Sequence, residues 1–135
     1  MEFIMKSTIL AGLAITLLAL PGCFKAAKSD NPIPQLLSNH GGNAVIMFHK
    51  SGCPFSGYLS PIFDQVAQSY KNKLFMQKIT VSHKNQSIFK NTYGFSTFPT
   101  VAYFKNNKLV KKHGSGNRSY SQEKIKGHIQ DIYGL

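Results

Sequence analysis

The spacing of apolar residues along the chain predicts a small α/β domain. Ala44 to Phe48 is an uninterrupted apolar run, which is typical of a strand buried on both faces and therefore central in its sheet. From Gly57 to about Lys71 the apolar residues recur at helical spacing, which predicts an amphipathic helix with a kink at Pro61. The residues of this stripe are Leu59, Ile62, Phe63, Val66 and Tyr70.

A second strand and a short helix are predicted next. Residues 73–81 are rich in β-formers, and Ser82 is expected to cap a helix that carries Ile88 and Phe89 and ends near Gly94. Ahead of the first strand, the segment 34–37 adds at most a helical turn. These elements form a βαβ unit, which places the two strands parallel in one sheet.

The last third of the chain predicts a hairpin and a final helix. Segments 100–104 and 108–112 flank Asn106 and Asn107, a pair that tolerates the positive φ of a tight turn between antiparallel strands. Ser119 or Ser121 can cap the last helix. Its predicted inner face consists of Ile125, Ile129, Ile132 and Tyr133. The full order is βαβ followed by ββα, an α/β domain with a central mixed sheet flanked by helices, expected over residues 41–135.

The first 22 residues have the layout of a secretion signal. Lys6 precedes an apolar run that ends at Leu20, and this run is shorter than the about 20 residues that a permanent membrane helix needs. Translation starting at Met5 would give a cleaner signal than translation from Met1. Residues 23–40 then read as a tether and a short N-terminal segment.

The segment from Leu20 to Cys23 resembles the lipobox of bacterial lipoproteins. This resemblance implies that Cys23 is acylated and that the protein is exported to the periplasm and anchored by lipid, with Phe24 pointing to the outer membrane. Pro21 is unusual in a lipobox, so simple cleavage near Gly22 is the alternative. In both cases Cys23 lies outside the fold.

The chain carries a formal net charge of +11. Such a charge can attract anionic lipid or nucleic acid. However, the lysines are scattered singly, only Lys111 and Lys112 are adjacent, and no arginine-rich or basic-aromatic stripe is present. We therefore interpret the charge as a solvated surface and expect no nucleic acid partner.

Cys53 is the main candidate for chemistry. It lies between the buried strand and the following helix, and Ser51, Gly52 and Pro54 around it are typical of a loop. Free amides and the positive end of a helix dipole favour a thiolate at such a position. Because the fold contains no other cysteine, an intrachain structural disulfide is excluded. No spacing of Cys and His predicts a metal site, and no cofactor is expected.

Four features together resemble the thioredoxin superfamily from about residue 43 to the carboxyl terminus. They are the strand followed by Ser51-Gly52-Cys53-Pro54-Phe55-Ser56, the helix kink at Pro61, the segment Thr97-Phe98-Pro99-Thr100 that opens a strand, and the Asn-Asn hairpin followed by Gly114. The resemblance implies a cis proline at Pro99 lying against the active-site cysteine. It also implies that Phe55, Phe98 and Pro99 bind an extended substrate.

Departures from the family pattern change the expected chemistry. Ser56 stands where thioredoxins have a second cysteine, so it cannot release a mixed disulfide, although its hydroxyl can stabilise the Cys53 thiolate. Met47 replaces a buried aspartate that serves the second cysteine. His49 replaces a tryptophan and is a candidate base or charge partner. Lys78 matches a lysine near the thioredoxin active site and is a second candidate modulator.

The remaining histidines are expected to have no part in the site. His40, His83 and His113 look exposed, and His128 lies at the edge of the last helix's apolar stripe.

Two functions remain open from the sequence. The first is a monothiol thiol–disulfide oxidoreductase of the cell envelope, with Cys53 as nucleophile and Ser56 as its partner, acting on protein disulfides or small thiols by isomerisation or mixed-disulfide exchange. The second is a non-catalytic thioredoxin-like lipoprotein that binds envelope proteins. Loss of the second cysteine is compatible with both. The oligomeric state is open, since one exposed thiol also permits a disulfide-linked homodimer.

Overall fold

A computed structural model describes residues 30–114 and 120–135 of the chain. The predicted signal sequence, the start of the tether, the lipidation candidate Cys23 and the alternative cap Ser119 lie outside the described residues.

The described elements follow the order predicted from the sequence. Ahead of the first strand, where a helical turn was predicted over residues 34–37, the structure has a longer helix of 7 residues. The elements are α1 (Ile33–Asn39), β1 (Ala44–His49), α2 (Pro54–Ser69), β2 (Phe75–Thr80), α3 (Gln86–Tyr93), β3 (Thr100–Lys105), β4 (Lys108–Gly114) and α4 (Gln122–Tyr133). α2 begins earlier than predicted, because Pro54 occupies its first position, where the missing N–H costs no helical hydrogen bond.

The four strands form one mixed sheet in the order β2-β1-β3-β4. β1 pairs parallel with β2 and antiparallel with β3, and β4 pairs antiparallel with β3. The central position predicted for β1 is confirmed, and its residues are buried from Ala44 to Phe48. Since β1 runs toward Cys53, its carboxyl end delivers the following loop to one edge of the sheet.

Alternate residues of β1 pack into two apolar layers, one on each face of the sheet. Val45 and Met47 contact the layer formed with α2 and α4, which contains Leu59, Phe63, Ile125 and Ile129. The opposite layer is formed with α1 and α3, and it contains Ile33, Ile46, Phe48 and Phe89. The sheet is thus covered by helices on both faces. Cys53 lies at the edge of the sheet where the chain leaves these two layers, after the carboxyl end of β1.

Two predicted turns and caps are confirmed. Asn106 and Asn107 have φ values of 52° and 64°, as a tight hairpin between twisted strands requires. The Ser121 hydroxyl accepts a hydrogen bond from the Lys124 backbone N–H at 3.2 Å, which caps α4.

The predicted start of α3 is wrong. Residues 83–85 form a turn, so the helix begins only at Gln86, after Asn85. The Asn85 side chain folds back and accepts a hydrogen bond from the Ser82 backbone N–H at 2.8 Å. Because this turn uses three residues, Ser82 lies too far from α3 to cap it. The predicted end is correct, since Gly94 terminates α3 in the left-handed conformation.

His113 was expected to be exposed, and this expectation is wrong. The sheet register shifts between Tyr103 and Phe104, where β4 holds one extra residue. Such a bulge reverses the alternation of side chains beyond it. His113 therefore pairs with Val101 and lies on the α4 side of the sheet, with its ring centroid 5.2 Å from that of His128. Neither ring nitrogen has a hydrogen-bond partner among the described residues.

Tyr103 provides a test of packing in this layer. Its side chain is fully buried, and its hydroxyl has no partner within the part of the chain that the structure describes. An unpaired buried hydroxyl carries an uncompensated desolvation cost. We expect Tyr103→Phe to raise the free energy of unfolding by about 1 kcal/mol in urea titrations. A loss of stability instead would mean that the hydroxyl has a bonding partner.

Candidate active site

Cys53 is the residue that immediately precedes α2. Its backbone is extended, with φ −82° and ψ 119°. The Cys53 N–H donates to the Lys50 carbonyl at 3.2 Å, and the Cys53 carbonyl accepts from the Gly57 N–H at 3.1 Å. Gly52 permits this tight turn by adopting a φ of +78°. The turn therefore holds the thiol directly at the amino end of the helix.

The surroundings of Cys53 favour its thiolate. Burial of the thiol acts to raise its pKa. Hydrogen bonds from the Ser56 N–H and hydroxyl and from the Phe55 N–H act in the opposite direction, as does the positive charge of Lys50, and together they lower the pKa of Cys53 below its ordinary value. The side chain is only partly buried, so a reactive sulfur remains accessible to a partner.

Ser56 is oriented toward this role by its own hydrogen bonding. It is 4% exposed, and its hydroxyl oxygen accepts from the Lys50 backbone N–H at 3.3 Å. A hydroxyl that accepts through its oxygen still has its proton to donate. The Ser56 hydroxyl is one of the groups that lower the pKa of the Cys53 thiol. One serine hydroxyl therefore both accepts a hydrogen bond from the backbone of the loop and favours the thiolate of Cys53.

Replacing Ser56 with alanine tests this arrangement. Ser56→Ala is expected to raise the pKa of Cys53, because one of the hydrogen bonds that stabilise the thiolate is lost. The pH dependence of thiol alkylation measures this pKa. Ser60→Ala is the matched control, since Ser60 lies one turn further on α2 and is bonded to Lys78 instead. Equal alkylation profiles for Ser56→Ala and the parent protein would contradict the role of Ser56.

A backbone segment before β3 lies against the thiol. The Phe98–Pro99 peptide bond is cis, and the Phe98 carbonyl accepts from the Cys53 thiol at 3.7 Å. Behind it, the Tyr120 hydroxyl donates to the Pro99 carbonyl at 3.4 Å. Cys53, Phe98 and Pro99, which the sequence places far apart, are thus brought together as the resemblance implied.

An open cleft of about 510 Å³ adjoins the thiol. Its walls include Cys53, Ser56, His49 and Thr80. Phe55 lies beside Cys53 at the start of α2 and is 55% exposed. The exposed ring and the open cleft leave room for a peptide next to the sulfur.

His49 lines the cleft but is held by β2. Its Nε2 lies 3.1 Å from the Thr80 hydroxyl. Burial lowers the pKa of His49, and the charge of Lys78 lowers it further, while Asp64 partly opposes both. The imidazole is therefore neutral at neutral pH. A neutral ring supplies no charge to Cys53, so the predicted role of a charge partner does not fit this structure. The role of a base stays a prediction, because the partner shown for the ring is Thr80.

Lys78 lies beside the cleft with its charge already paired. Its ammonium is 2.8 Å from the Asp64 carboxylate and donates to the Ser60 hydroxyl at 2.8 Å. On β1, Met47 is the residue directly paired with Lys78, and it is fully buried. The position at which thioredoxins carry a buried aspartate is thus apolar in this chain.

Lys50 is a site residue that the sequence analysis missed. Its charge helps to lower the pKa of Cys53, and its backbone contacts both Cys53 and Ser56. The available signal was a lysine three positions before the cysteine in a loop that contains glycine. That signal is weak, because lysine is common in loops.

Metal-binding clusters and membrane-spanning helices are both missing from the described part of the chain. Within residues 30–114 and 120–135, no three side chains of His, Cys, Asp or Glu are grouped so that they could hold a metal ion. In the same residues, none of the helices has the length and apolar character required to cross a membrane.

Comparison with known proteins relates the chain to thioredoxins. The thioredoxin family model matches residues 26–131. A thioredoxin of Mycoplasmoides gallisepticum is 32% identical over 80 residues, which are 59% of this chain and 76% of that protein. Endoplasmic reticulum resident protein 44 of Mus musculus is 26% identical over 111 residues, which cover 79% of this chain. The matched region spans only 27% of that larger protein.

Solved structures show the same likeness of fold. The reduced thioredoxin pre-protein of Schistosoma mansoni superposes with a TM-score of 0.62 at 22% identity, covering 76% of this chain and 91% of the other. The thioredoxin-like α/β fold predicted from the sequence, with its central mixed sheet flanked by helices, is confirmed.

Proposed function

The chain belongs to the thioredoxin family, and from this premise we propose that it is a monothiol thiol–disulfide oxidoreductase of the bacterial cell envelope. The observation that carries the proposal is the position of the Cys53 sulfur. It lies at the amino end of α2, is stabilised as thiolate by Ser56, and contacts the carbonyl that precedes Pro99.

The reaction begins with attack of the Cys53 thiolate on one sulfur of a partner disulfide. A bond forms between Cys53 and that sulfur, the partner's S–S bond breaks, and the second partner sulfur leaves as thiolate. A thiolate of the partner or of a small thiol then attacks the mixed disulfide and releases Cys53. Each exchange conserves the number of disulfides, so no external oxidant or reductant is required.

Serine at position 56 favours exchange over net oxidation or reduction. Transfer of two electrons to a substrate needs a second thiol in the same site, which can form a disulfide with the first. Ser56 has no sulfur, so release of the mixed disulfide depends on a thiol from outside the fold. We therefore propose disulfide isomerisation, or exchange with small-thiol adducts, as the activity.

The envelope location is proposed from the amino-terminal sequence alone. Residues 1–22 have the layout of a secretion signal, and Cys23 ends a lipobox-like segment. Export would place Cys53 in a compartment where protein disulfides persist. Metabolic labelling with a radioactive fatty acid is expected to mark the full-length protein, while Cys23→Ser is expected to remain unlabelled. Equal labelling of both proteins would contradict acylation at Cys23.

Turnover of a scrambled protein substrate tests the activity. A protein with randomly paired disulfides is incubated with the domain and a low concentration of small thiol, and recovery of native pairing is followed. We expect catalytic recovery by the parent protein and its complete loss in Cys53→Ser, because the serine hydroxyl is not ionised at neutral pH.

A different outcome would favour the alternative function. If Cys53 captures the substrate in equal proportion and never releases it, the protein acts as a binding module that holds partners by a durable mixed disulfide. If Cys53 neither turns over nor captures a disulfide substrate, the proposed thiol chemistry is wrong.

A further inference from the structure

We propose that the active site selects disulfides flanked by carboxylates, as in an acidic peptide segment, and that Lys50 and Lys90 determine this preference. The inference rests on the proposed function and specifies its substrate class. The side of the site formed by α3 carries positive charges that the thiol chemistry itself does not require.

Lys50 links the active-site loop to α3. Its backbone is fixed next to the thiol, because the Lys50 carbonyl accepts from the Cys53 N–H at 3.2 Å. Its side chain extends to α3, where the ammonium donates to the Gln86 side-chain carbonyl at 3.3 Å. A single hydrogen bond to a neutral amide leaves the positive charge of Lys50 unbalanced.

Lys90 continues the same edge. It lies four residues after Gln86 on α3, so both side chains occupy one face of the helix. The Lys90 ammonium is 5.5 Å from the centre of the Phe98 ring. The carbonyl of Phe98 in turn accepts from the Cys53 thiol. Two lysines therefore border the thiol and the segment before Pro99, and we call Lys50, Gln86, Lys90 and Phe98 the α3 rim.

The segments that form the α3 rim contain no carboxylate. No acidic residue lies between Asp64 and Glu123, a stretch with nine lysines and one arginine. Asp64 is on the opposite side of the cleft, where it pairs with Lys78 at 2.8 Å. In the described part of the chain, neither Lys50 nor Lys90 forms a salt bridge. The site is consequently neutralised on its β2 side and positive on its α3 side.

This asymmetry matches a partner with negative charge next to its disulfide. A peptide lying beside Pro99 would place side chains near Phe98 and Lys90, where a carboxylate gains favourable interaction and a lysine is repelled. Electrostatic attraction of this kind acts mainly on the rate of encounter and weakens with salt. The covalent step is the exchange described above, in which Cys53 gains the bond that the leaving thiolate loses.

Matched peptide disulfides provide the test. Two peptides of the same length carry one disulfide each, flanked by aspartates in the first and by lysines in the second. The rate constant for formation of the mixed disulfide with Cys53 is measured for each at low and at high salt. We expect the acidic peptide to react at least about 10-fold faster at low salt, and the ratio to approach one at high salt.

Variants assign the preference to the α3 rim. The double variant Lys50→Gln and Lys90→Gln is expected to lose most of the ratio between the two peptides. The ratio is the proper readout, because Lys50 also affects the pKa of Cys53 and this effect cancels between peptides tested on one protein. The double variant Lys73→Gln and Lys108→Gln is the matched control. It removes the same number of charges, and both lysines lie at the end of the sheet away from Cys53.

The outcomes separate this inference from the proposed function. Equal rates for the two peptides, or a preference that survives in the double variant, would overturn the selection of acidic partners and leave the thiol chemistry in place. A loss of the ratio in the Lys73→Gln and Lys108→Gln control as large as in the Lys50→Gln and Lys90→Gln variant would show a general effect of net charge and would also overturn it. If neither peptide reacts, both the inference and the proposed function fail.

Discussion

Ser56→Cys is expected to shorten the lifetime of the mixed disulfide on Cys53 by at least about 100-fold. A second thiol at position 56 would replace the Ser56 hydroxyl, which lowers the pKa of the Cys53 thiol and lines the same cleft. An intramolecular thiol at contact distance acts at an effective concentration far above that of any added small thiol. It would attack the mixed disulfide, form an intramolecular disulfide with Cys53 and release the partner as a thiol.

The measurement is a single-turnover experiment. A mixed disulfide between Cys53 and a peptide with a chromophoric thiol is prepared at low pH, where a thiol at position 56 is protonated and does not attack. Release of the chromophore is then followed at neutral pH without added thiol. The parent protein is expected to retain the peptide, whereas Ser56→Cys should release one equivalent. Gly57→Cys is a useful control, because it adds a thiol one residue away, at a position without the side-chain hydrogen bond to Cys53.

Ser56→Cys also tests the interpretation of the site. If the variant releases the peptide no faster than the parent, the side chain at position 56 does not face the Cys53 sulfur, and the thiolate must be stabilised otherwise. If release is fast, the site retains a geometry that can support dithiol chemistry, and serine is the feature that restricts it to exchange. The variant would then reduce disulfides that the parent can only rearrange.

The sequence was sufficient for the elements that depend on local patterns. The apolar run of β1 predicted a central strand, and the pair Asn106-Asn107 predicted a tight turn; the structure has both. The predicted start of α3 was wrong because of a local competition between hydrogen bonds, which the spacing of apolar residues does not show. Ser82 was displaced as a cap because the Asn85 side chain bonds to its backbone and extends the turn.

The site was predicted only in part, for a related reason. Cys53, Ser56 and Pro99 were identifiable because they belong to motifs with fixed spacing. Lys50 was not, since its importance depends on the direction of its side chain toward Gln86 and on the backbone contacts of the loop. Lysine is a common residue type, and the contact of Lys50 with a residue far along the chain leaves no mark in the local sequence.

His113 shows the same limit most clearly. Its neighbours in β4 are largely lysines, so the strand has no apolar alternation to indicate an inner face. The bulge opposite Tyr103 and Phe104 decides that this histidine points inward. A bulge is set by the pairing of two strands and could not be read from either strand alone.

His113 is partly buried, with both ring nitrogens shielded from solvent, and this leads to the last expected result, a loss of stability in mild acid. Burial is the main cause that lowers the pKa of His113 to about 4, and the charges of His128, Lys124 and Lys111 add to it. The rings of Tyr103 and Tyr120 pack against it without offering a carboxylate. An ordinary histidine has a pKa near 6.5. Between about pH 6.5 and about pH 4, His113 is therefore protonated in the unfolded chain and neutral in the folded protein.

The direction in which stability changes with pH follows from this difference in pKa between the folded and unfolded states. Because the unfolded state binds more protons, the free energy of unfolding falls as pH decreases from about 6.5 to about 4, by about 3 kcal/mol in total. The contribution of neutral His113 is fully present above pH 6.5 and is lost below pH 4. Since small domains have only about 5–15 kcal/mol of stability, the loss should be visible as a lower midpoint in urea titrations at pH 5 than at pH 7.

His113→Leu separates this effect from the titration of carboxylates. Leucine cannot bind a proton, so the free energy of unfolding of the variant should fall less between pH 7 and pH 5 than that of the parent. The fall that remains includes the contributions of His49 and His128, whose pKa values burial also lowers. His83→Leu is the matched control at an exposed position and should retain the pH dependence of the parent. Equal slopes for His113→Leu and the parent would mean that His113 is protonated in the folded state and that its ring reaches water or an anionic group. A reduced slope would instead show that packing against α4 keeps this histidine neutral, and that acid weakens the domain on the face away from Phe48 and α3.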